Sequence, residues 1–233
     1  MTRRMSFKLD RFLKKKDMTV SKILNRTSGK KLLYGDTFLV VGLGNYGKQY
    51  QYTRHNAGFN VIDCVAESLG IKVRKACLNG LIGECVYDAK RIICVKPQTY
   101  MNRSGLCVAP LAARYHIDYS HLIVIYDDID LKEGQLRVKN SGSAGTHNGM
   151  RSVISELDRQ DFPRVRVGIG PKPADCEDLA EWVLSPYAPG PEWEAALATY
   201  RLAADCVLAI ATQGVDEAMK LYNHRTGREQ SAR

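Results

Sequence analysis

The chain has 233 residues and a hydrophobic fraction of 45%, which is enough for one substantial core and is typical of a globular protein. No apolar run approaches the roughly 20 residues that cross a bilayer, so we expect no membrane partner. The seven cysteines stand singly, and their odd number and scattered positions indicate reduced thiols in a cytoplasmic protein, not a disulfide framework.

The net charge of +9 is concentrated at the N-terminus. Residues 1–31 contain eleven Lys and Arg and two Asp, a net of +9, so the remaining residues balance at zero. Within that remainder, residues 132–172 hold eight basic and four acidic residues, whereas residues 173–217 hold nine acids and Arg201 alone. A neutral body with one basic sector is typical of local contact with a polyanion, although two solvated faces would have the same composition.

Residues 1–36 form a basic arm with no sustained helical or strand periodicity. Three interpretations are open: a disordered arm, an organelle transit segment, or a sequence whose true start is Met18. Asp10 and Asp17 weigh against a transit segment, because such peptides are poor in acids. We favour a flexible arm that adds weak, salt-sensitive affinity for RNA.

After the arm, predicted strands and helices alternate along the chain. Short apolar or alternating runs predict strands at residues 38–41, 80–87, 91–95, 122–126, 134–139 and 165–169. Helical periodicity predicts helices at about 58–70, 104–115, 150–157, 179–183 and 192–213, with Pro110 expected to kink or delimit the second. This order predicts a single-domain α/β sandwich of three layers over residues 37–225, followed by a polar tail at 226–233. Its central sheet is mixed and largely parallel, with helices on both faces.

Three of the predicted strands end directly in clusters of side chains suited to a site. The residues that follow strands 38–41, 91–95 and 122–126 are Asn45, His55, Met101, Asn102 and Asp127. Because the carboxyl ends of strands line the ligand crevice of an open α/β sheet, these side chains should converge in one cleft, with His147 and Asn148 entering from a glycine-rich loop. Loops are polar in any protein, and the coincidence of three clusters at one edge is what favours a site.

This set of side chains suits general-base catalysis. A histidine held by an aspartate can take a proton from water near neutral pH, for about 10²–10⁴ in rate. Asn side chains can stabilise a developing oxyanion, for roughly 10²–10³ per donor. No serine or cysteine occupies a recognisable nucleophile elbow. The residues therefore predict hydrolysis of an activated acyl bond by water, without a covalent intermediate.

Other chemistries fit parts of the pattern less well. His55 and the acids at 127–130 could bind a metal, but no H-x-x-x-H or similar spacing supports a metal site, so we expect none. The glycines of residues 42–47 fit the dinucleotide fingerprint after a strand. However, the polar segment that follows them is not a small-residue helix start, and no strand ending in an acid appears some 20 residues later.

The segments GLGNYGKQYQYTRHNAG, PQTYMNRSG, YDDIDL, GSAGTHNGMRS and RVRVGIG, in this order, resemble the bacterial-type peptidyl-tRNA hydrolase family. The resemblance covers about residues 37–225. It implies a monomeric, cytoplasmic enzyme without a cofactor that cleaves the ester between a peptide and the 3′ adenosine of tRNA. The implied partner is peptidyl-tRNA, contacted at its acceptor stem and 3′ end, and the implied role is recycling of tRNA from stalled translation.

The resemblance also implies a role for individual residues. His55 is similar to the family's proton acceptor, Asp127 to the aspartate that keeps it basic, and Asn45 to the residue that separates N-blocked from free aminoacyl-tRNA. The positions similar to those that contact tRNA or peptide are Tyr50, Tyr100, Met101, Asn102 and Asn148. The positions similar to phosphate-binding basic residues are Arg137, Lys139 and Arg166, and all three fall in the basic sector.

Two features depart from the family pattern, and one rival function stays open. The family loop usually reads G-N-P-G, and here Tyr46 replaces the proline, which should loosen the turn around Asn45 or offer a ring for stacking. The basic arm lies outside the resemblance. The rival is a non-catalytic RNA-binding relative of the same fold, and the presence of His55, Asp127 and Asn45 favours the active enzyme. For His147 we prefer a role as a helix cap.

Overall fold

The structure is a computed structural model that describes residues 35–224. The predicted N-terminal arm up to residue 34 and the polar tail at 226–233 lie outside these residues. The described strands are β1 (Thr37–Gly42), β2 (Lys75–Cys77), β3 (Gly80–Tyr87), β4 (Lys90–Pro97), β5 (Leu122–Asp128), β6 (Leu136–Lys139) and β7 (Arg164–Gly168). The described helices are α1 (Ala57–Ser68), α2 (Gly105–Arg114), α3 (Asn148–Leu157), α4 (Leu179–Leu184), α5 (Pro191–Gln213) and α6 (Val215–Tyr222).

The strands form one mixed sheet in the order β2-β3-β4-β1-β5-β7-β6. The four central strands β4, β1, β5 and β7 are parallel, and the outer strands pair antiparallel. Central parallel strands are covered on both faces, which is why β1, β4 and β5 are nearly continuous apolar runs and are predictable from sequence. The predicted mixed, largely parallel sheet is confirmed, whereas the three-residue strand β2 was missed.

Helices cover both faces of the sheet and confirm the three-layer sandwich. One core contains the buried residues of α1, α5 and α6, and the other contains those of α2 and α3. Strand β1 contributes to both cores, because alternate side chains point to opposite faces. Phe38 and Val40 lie in the first core, whereas Leu39 and Val41 lie in the second.

Among the described residues, α5 is the one helix long and apolar enough to cross a membrane by length and composition, with a mean hydropathy of 1.4. Its most apolar window is 56% buried inside the protein, and its buried side chains pack in the first core. The sequence predicts this helix at 192–213 but no apolar run of membrane length, because Arg201 and Asp205 interrupt the stretch. A helix buried in a core and a helix in lipid have similar compositions, since both face away from water.

Pro110 lies inside α2 and does not end it. A proline lacks the N–H that would bond the carbonyl four residues earlier, here that of Leu106. The side chain of Asn79 approaches this carbonyl, with Nδ2 at 3.5 Å. The helix continues to Arg114, as the periodicity predicted.

The start of α1 lies unusually close to the ends of β1 and β5. A Cβ atom on Gly58 would stand 2.4 Å from the nitrogen of Leu43 and 2.5 Å from the oxygen of Ile125. Contacts of this length leave no room for a side chain at residue 58 unless the surrounding backbone shifts. The 3₁₀ turn Arg54–Asn56, directly before α1, is thereby held over the carboxyl edge of the sheet.

Candidate active site

Asp127 lies at the carboxyl end of β5 between two histidines, and its side chain is 3% exposed. His55 Nδ1 is 2.9 Å from Oδ1 and 3.0 Å from Oδ2 of Asp127. On the other side, His147 Nε2 is 3.2 Å from Oδ1. One buried carboxylate therefore accepts hydrogen bonds from two imidazole rings.

The second histidine has a defined proton position. The backbone N–H of Met150 donates to His147 Nδ1 at 3.2 Å, so this nitrogen carries a lone pair. A neutral His147 consequently holds its proton on Nε2 and donates it to Asp127. The predicted helix cap is confirmed, because His147 is the N-cap of α3. Its bond to Asp127 was missed, since the two residues are 20 positions apart in the sequence.

The first histidine is oriented as a base. With Nδ1 donating to Asp127, His55 keeps Nε2 available as a proton acceptor, and the residue lines the large cleft described below. Burial lowers the pKa of His55, but the charge of Asp127 and the hydrogen bond to it raise the pKa, which ends above the ordinary 6.5. Burial alone would raise the pKa of Asp127. The charges of the two histidines and their hydrogen bonds together have a larger effect and bring this pKa well below its ordinary range. Asp127 is thus ionised at neutral pH and strengthens His55 as a base.

Asn45 is fixed at three points. Its backbone N–H donates to Asn56 Oδ1 at 2.8 Å, and its backbone oxygen accepts from Asn56 Nδ2 at 3.0 Å. Its own side-chain Oδ1 accepts the N–H of Met101 at 2.9 Å. These bonds leave the Nδ2 amide as the free donor group of Asn45. Asn56, which the sequence reasoning did not select, holds the loop in which Tyr46 replaces proline.

Tyr46 and Tyr100 form an exposed aromatic pair next to Asn45. Their ring centroids are 4.9 Å apart and the ring planes are inclined by 35°. A hydrogen bond to the Tyr46 side chain raises the pKa of the Tyr100 phenol. The loop continues through Gly47, whose φ of 113° is open to glycine and strained for other residues.

Asp127, both histidines, Asn45 and Tyr100 line a cleft with a volume of about 800 Å³, whereas Tyr46 lies outside its wall. Of the predicted site residues, those on its wall are Asn45, His55, Tyr100, Met101, Asn102, Asp127, Lys139, Asn148 and Arg166. The predicted convergence of three strand ends in one cleft is confirmed. Met101 is buried and packs against Gly149. A Cβ atom added to Gly149 would lie 2.6 Å from the sulfur of Met101.

Two predicted contact residues lie away from the cleft wall. Tyr50 ends the 3₁₀ turn Lys48–Tyr50 and is half-buried, and its backbone oxygen accepts a hydrogen bond from Thr53. Arg137 is exposed on the edge strand β6, directly opposite Arg166 on β7. It therefore lies on the same sheet face as the cleft-lining cations, but further out.

The basic wall of the cleft is more neutralised than its composition indicates. Arg166 forms an ion pair with Asp128, and its Nη2 lies 3.8 Å from Asp130. The buried Arg164 donates to the carbonyl oxygens of Gly142, Ser143 and Gln160, so its role is structural. Lys139 is exposed on this wall.

Arg151, which the sequence reasoning did not select, is a further exposed cation at the cleft. Its guanidinium donates to the oxygen of Gly145 at 3.1 Å and lies 3.4 Å from Oδ1 of Asn148. The predicted contact residue Asn148 is thus oriented by a neighbour one helical turn further along α3. Only the three-dimensional arrangement associates Arg151 with the site.

The short helix α4 forms another part of the cleft wall, through Leu179, Ala180, Val183 and Leu184. A buried arginine ties this wall to the turn that carries His55. Arg54 Nη1 donates to Oγ of Ser185 at 2.9 Å and to the oxygen of Pro186 at 3.1 Å, and Nη2 lies 2.5 Å from Glu192. The guanidinium carbon also lies 4.0 Å from the ring centroid of Trp182. No local pattern in the sequence predicts these contacts of Arg54.

His55, Asp127 and His147 also form a group of potential metal ligands, with donor atoms within 4.8 Å of one another. The ring-to-carboxylate distances of 2.9 to 3.2 Å are those of hydrogen bonds. A metal would have to replace both ring protons that now face Asp127. The donor set therefore fits a proton-holding arrangement better than a metal site.

An α/β sandwich with an aspartate-supported histidine and an oriented carboxamide in one cleft is the arrangement expected of one class of protein, a hydrolase that activates water by general-base catalysis. The peptidyl-tRNA hydrolase family model matches residues 39–231 of this sequence. The chain belongs to the peptidyl-tRNA hydrolase family.

Individual relatives are similar in sequence to this chain over nearly their whole length. A peptidyl-tRNA hydrolase of Alkaliphilus metalliredigens is 46% identical over 186 residues, which are 80% of this chain and 99% of the relative. One from Lachnospira eligens is 43% identical with the same coverage. The crystal structure of peptidyl-tRNA hydrolase from Acinetobacter baumannii has a TM-score of 0.75 at 32% identity, covering 82% of this chain and 96% of that one.

Proposed function

We propose that this protein hydrolyses the ester bond of N-blocked peptidyl-tRNA and releases the peptide and free tRNA. The observation that carries the proposal is the His55–Asp127 pair beside the fixed amide of Asn45 in a cleft of about 800 Å³. No observation on the described residues favours the non-catalytic RNA-binding alternative. The residues for proton transfer are present, and the named relatives are hydrolases.

The reaction begins with a water molecule beside Nε2 of His55. This nitrogen takes one water proton while the oxygen attacks the ester carbonyl, and Asp127 stabilises the resulting imidazolium. The Nδ2 amide of Asn45 donates to the carbonyl oxygen as its negative charge develops. The tetrahedral intermediate expels the ribose oxygen, which takes the proton from His55. Peptide carboxylic acid and tRNA hydroxyl are the products, and no covalent enzyme intermediate is formed.

The remaining predicted residues hold the substrate. Asn102, Asn148 and Met101 contact the 3′ end and the peptide along the cleft wall, and Tyr50 and Tyr100 contact the tRNA or peptide from the surrounding surface. Lys139, Arg137 and Arg166 meet phosphates of the acceptor stem. Since Arg166 is paired with Asp128, we expect Lys139 and Arg137 to supply most of the salt-dependent affinity.

We further propose that the enzyme acts as a monomer in the cytoplasm, without a cofactor. The test is single-turnover hydrolysis of N-acetyl-aminoacyl-tRNA beside free aminoacyl-tRNA, with a metal chelator present. Fast release from the blocked substrate alone supports the proposal. His55→Ala should abolish release while tRNA affinity changes little, and intact turnover in this variant would contradict the mechanism.

A further inference from the structure

Tyr46 and Tyr100 are two of the six large hydrophobic side chains that are exposed to solvent among the described residues. They are 39% and 48% exposed, and their rings lie side by side with centroids 4.9 Å apart. Solvent-exposed aromatic rings side by side are a surface on which another planar ring can stack.

The two tyrosines are held at the active site by the loops that carry them. Tyr46 directly follows Asn45, and Tyr100 directly precedes Met101. The 2.9 Å hydrogen bond from the Met101 N–H to Asn45 Oδ1 joins the two loops. Tyr100 lines the main cleft, whereas Tyr46 lines a second cavity of about 410 Å³ that shares Asn45 with it. The pair therefore stands at Asn45, between the two cavities.

The chemistry of the substrate narrows what could stack there. This step rests on the proposed function, in which the scissile ester lies beside Asn45 and His55. The planar groups nearest that ester are the base of the terminal adenosine and an aromatic side chain of the peptide. Peptide side chains vary from one substrate to the next, whereas each tRNA ends in the same adenosine. A fixed pair of rings matches the invariant group.

We infer that Tyr46 and Tyr100 form a stacking platform for the 3′-terminal adenine of the tRNA. Stacking on an aromatic ring needs no particular hydrogen-bond pattern, so the platform adds affinity for every tRNA alike. In this sequence Tyr46 occupies the loop position where proline is usual in the family. The substitution thus supplies a contact surface, while Asn56 keeps the loop in place.

The test is equilibrium binding of deacylated tRNA and of the same tRNA lacking its terminal adenosine. The wild-type protein should bind the intact tRNA about ten-fold more tightly, as expected for one stacked base. Tyr46→Ala should lose most of this difference and bind the truncated tRNA as the wild type does. Tyr46→Phe should keep the difference, because it keeps the ring. Equal weakening for both tRNAs, or no change for either, would overturn the inference.

Tyr52→Ala is the matched control. Tyr52 is 48% exposed, like Tyr100, but its ring packs edge-on against Trp193 at 5.0 Å and lines neither cavity. This variant should leave the difference between the two tRNAs unchanged, and a loss as large as that of Tyr46→Ala would refute a local platform.

A second comparison separates the two possible ligands. The KM of Tyr46→Ala should rise equally for N-acetyl-glycyl-tRNA and N-acetyl-phenylalanyl-tRNA. A rise confined to the phenylalanyl substrate would assign the platform to the peptide and overturn the inference. Because the binding measurement uses deacylated tRNA, it stands even if the wild-type protein releases no peptide, an outcome that would refute the proposed function alone.

Discussion

The Asp127→Asn variant tests the central feature of the site, since an amide cannot satisfy both histidines as the carboxylate does. The two carboxylate oxygens lie 2.9 and 3.0 Å from His55 Nδ1, and one of them is also 3.2 Å from His147 Nε2. An asparagine places an NH₂ group at one of these positions, facing an imidazole nitrogen. If it faces His55, the ring must accept at Nδ1 and carry its proton on Nε2, where the base is needed.

The expected loss follows from removing general-base catalysis. We expect the single-turnover rate of Asp127→Asn to fall by about 10²–10⁴, which corresponds to roughly 3–5 kcal/mol of activation free energy. The affinity for deacylated tRNA should stay near that of the wild type, because Asp127 is buried and does not face phosphate. Asp161→Asn, which removes a surface charge away from the cleft, is the matched control and should keep the wild-type rate.

The pH dependence gives an independent readout. In the wild type, the acid limb of kcat/KM should have its midpoint above pH 6.5, because the pKa of His55 is raised. In Asp127→Asn the charge that raises this pKa is gone and burial still lowers it, so the midpoint should move to lower pH. An unchanged midpoint, or a rate close to wild type, would refute the assigned role of Asp127.

The raised pKa of His55 also makes the unfolding free energy depend on pH. His55 stabilises the fold when protonated, so its contribution is fully present below its ordinary pKa of 6.5 and is lost as pH rises through the raised value. We therefore expect the difference in unfolding free energy between wild type and Asp127→Asn to shrink as the pH rises through this range. Thermal or urea unfolding at several pH values measures it.

Three further predictions concern residues that hold the site. Asn56→Leu leaves the buried N–H and C=O of Asn45 without partners, and each unsatisfied group should lower the unfolding free energy by about 1–3 kcal/mol. Because Asn45 is then held less firmly, the preference for N-blocked substrate should fall in competition assays. Arg54→Met should lower the unfolding free energy by about 3 kcal/mol in urea titrations and raise KM, since Glu192 loses its partner and the α4 wall its tether. Gly58→Ala should cost about 3 kcal/mol, because its Cβ meets backbone atoms, and thermal unfolding would show it.

Each of these variants has a result that would contradict its reasoning. Unchanged substrate preference in Asn56→Leu would show that the Asn45 loop is rigid without the clamp. Unchanged KM in Arg54→Met would show that the contacts of Arg54 do not affect substrate binding in the cleft. Lys90→Met, which removes a 2.6 Å bond to the oxygen of Ala211 at the end of α5, is the control for Arg54 and should affect stability without affecting KM. Wild-type stability in Gly58→Ala would mean that α1 can move away from the sheet.

The sequence by itself determined the sandwich and predicted that most of the proposed catalytic residues share one cleft. Apolar runs predicted the central strands, because strands buried on both faces must be apolar along their whole length. Since the ends of parallel strands meet at one edge, the same pattern predicts that Asn45, His55 and Asp127 lie close together. Short elements were less determined, as the missed three-residue strand β2 demonstrates.

Only the tertiary structure decided which side chains support the catalytic set. Asn56 was adjacent to a predicted residue, yet its bonds to Asn45 span eleven positions, and Arg54 reaches Glu192 across 138 positions. Arg166 was predicted to contact phosphate and lies on the cleft wall, but its pairing with Asp128 depends on the register between β5 and β7. Such contacts join residues distant in the chain and obey no local period. Periodicity and strand ends locate a site, whereas hydrogen bonds between distant segments fix its geometry.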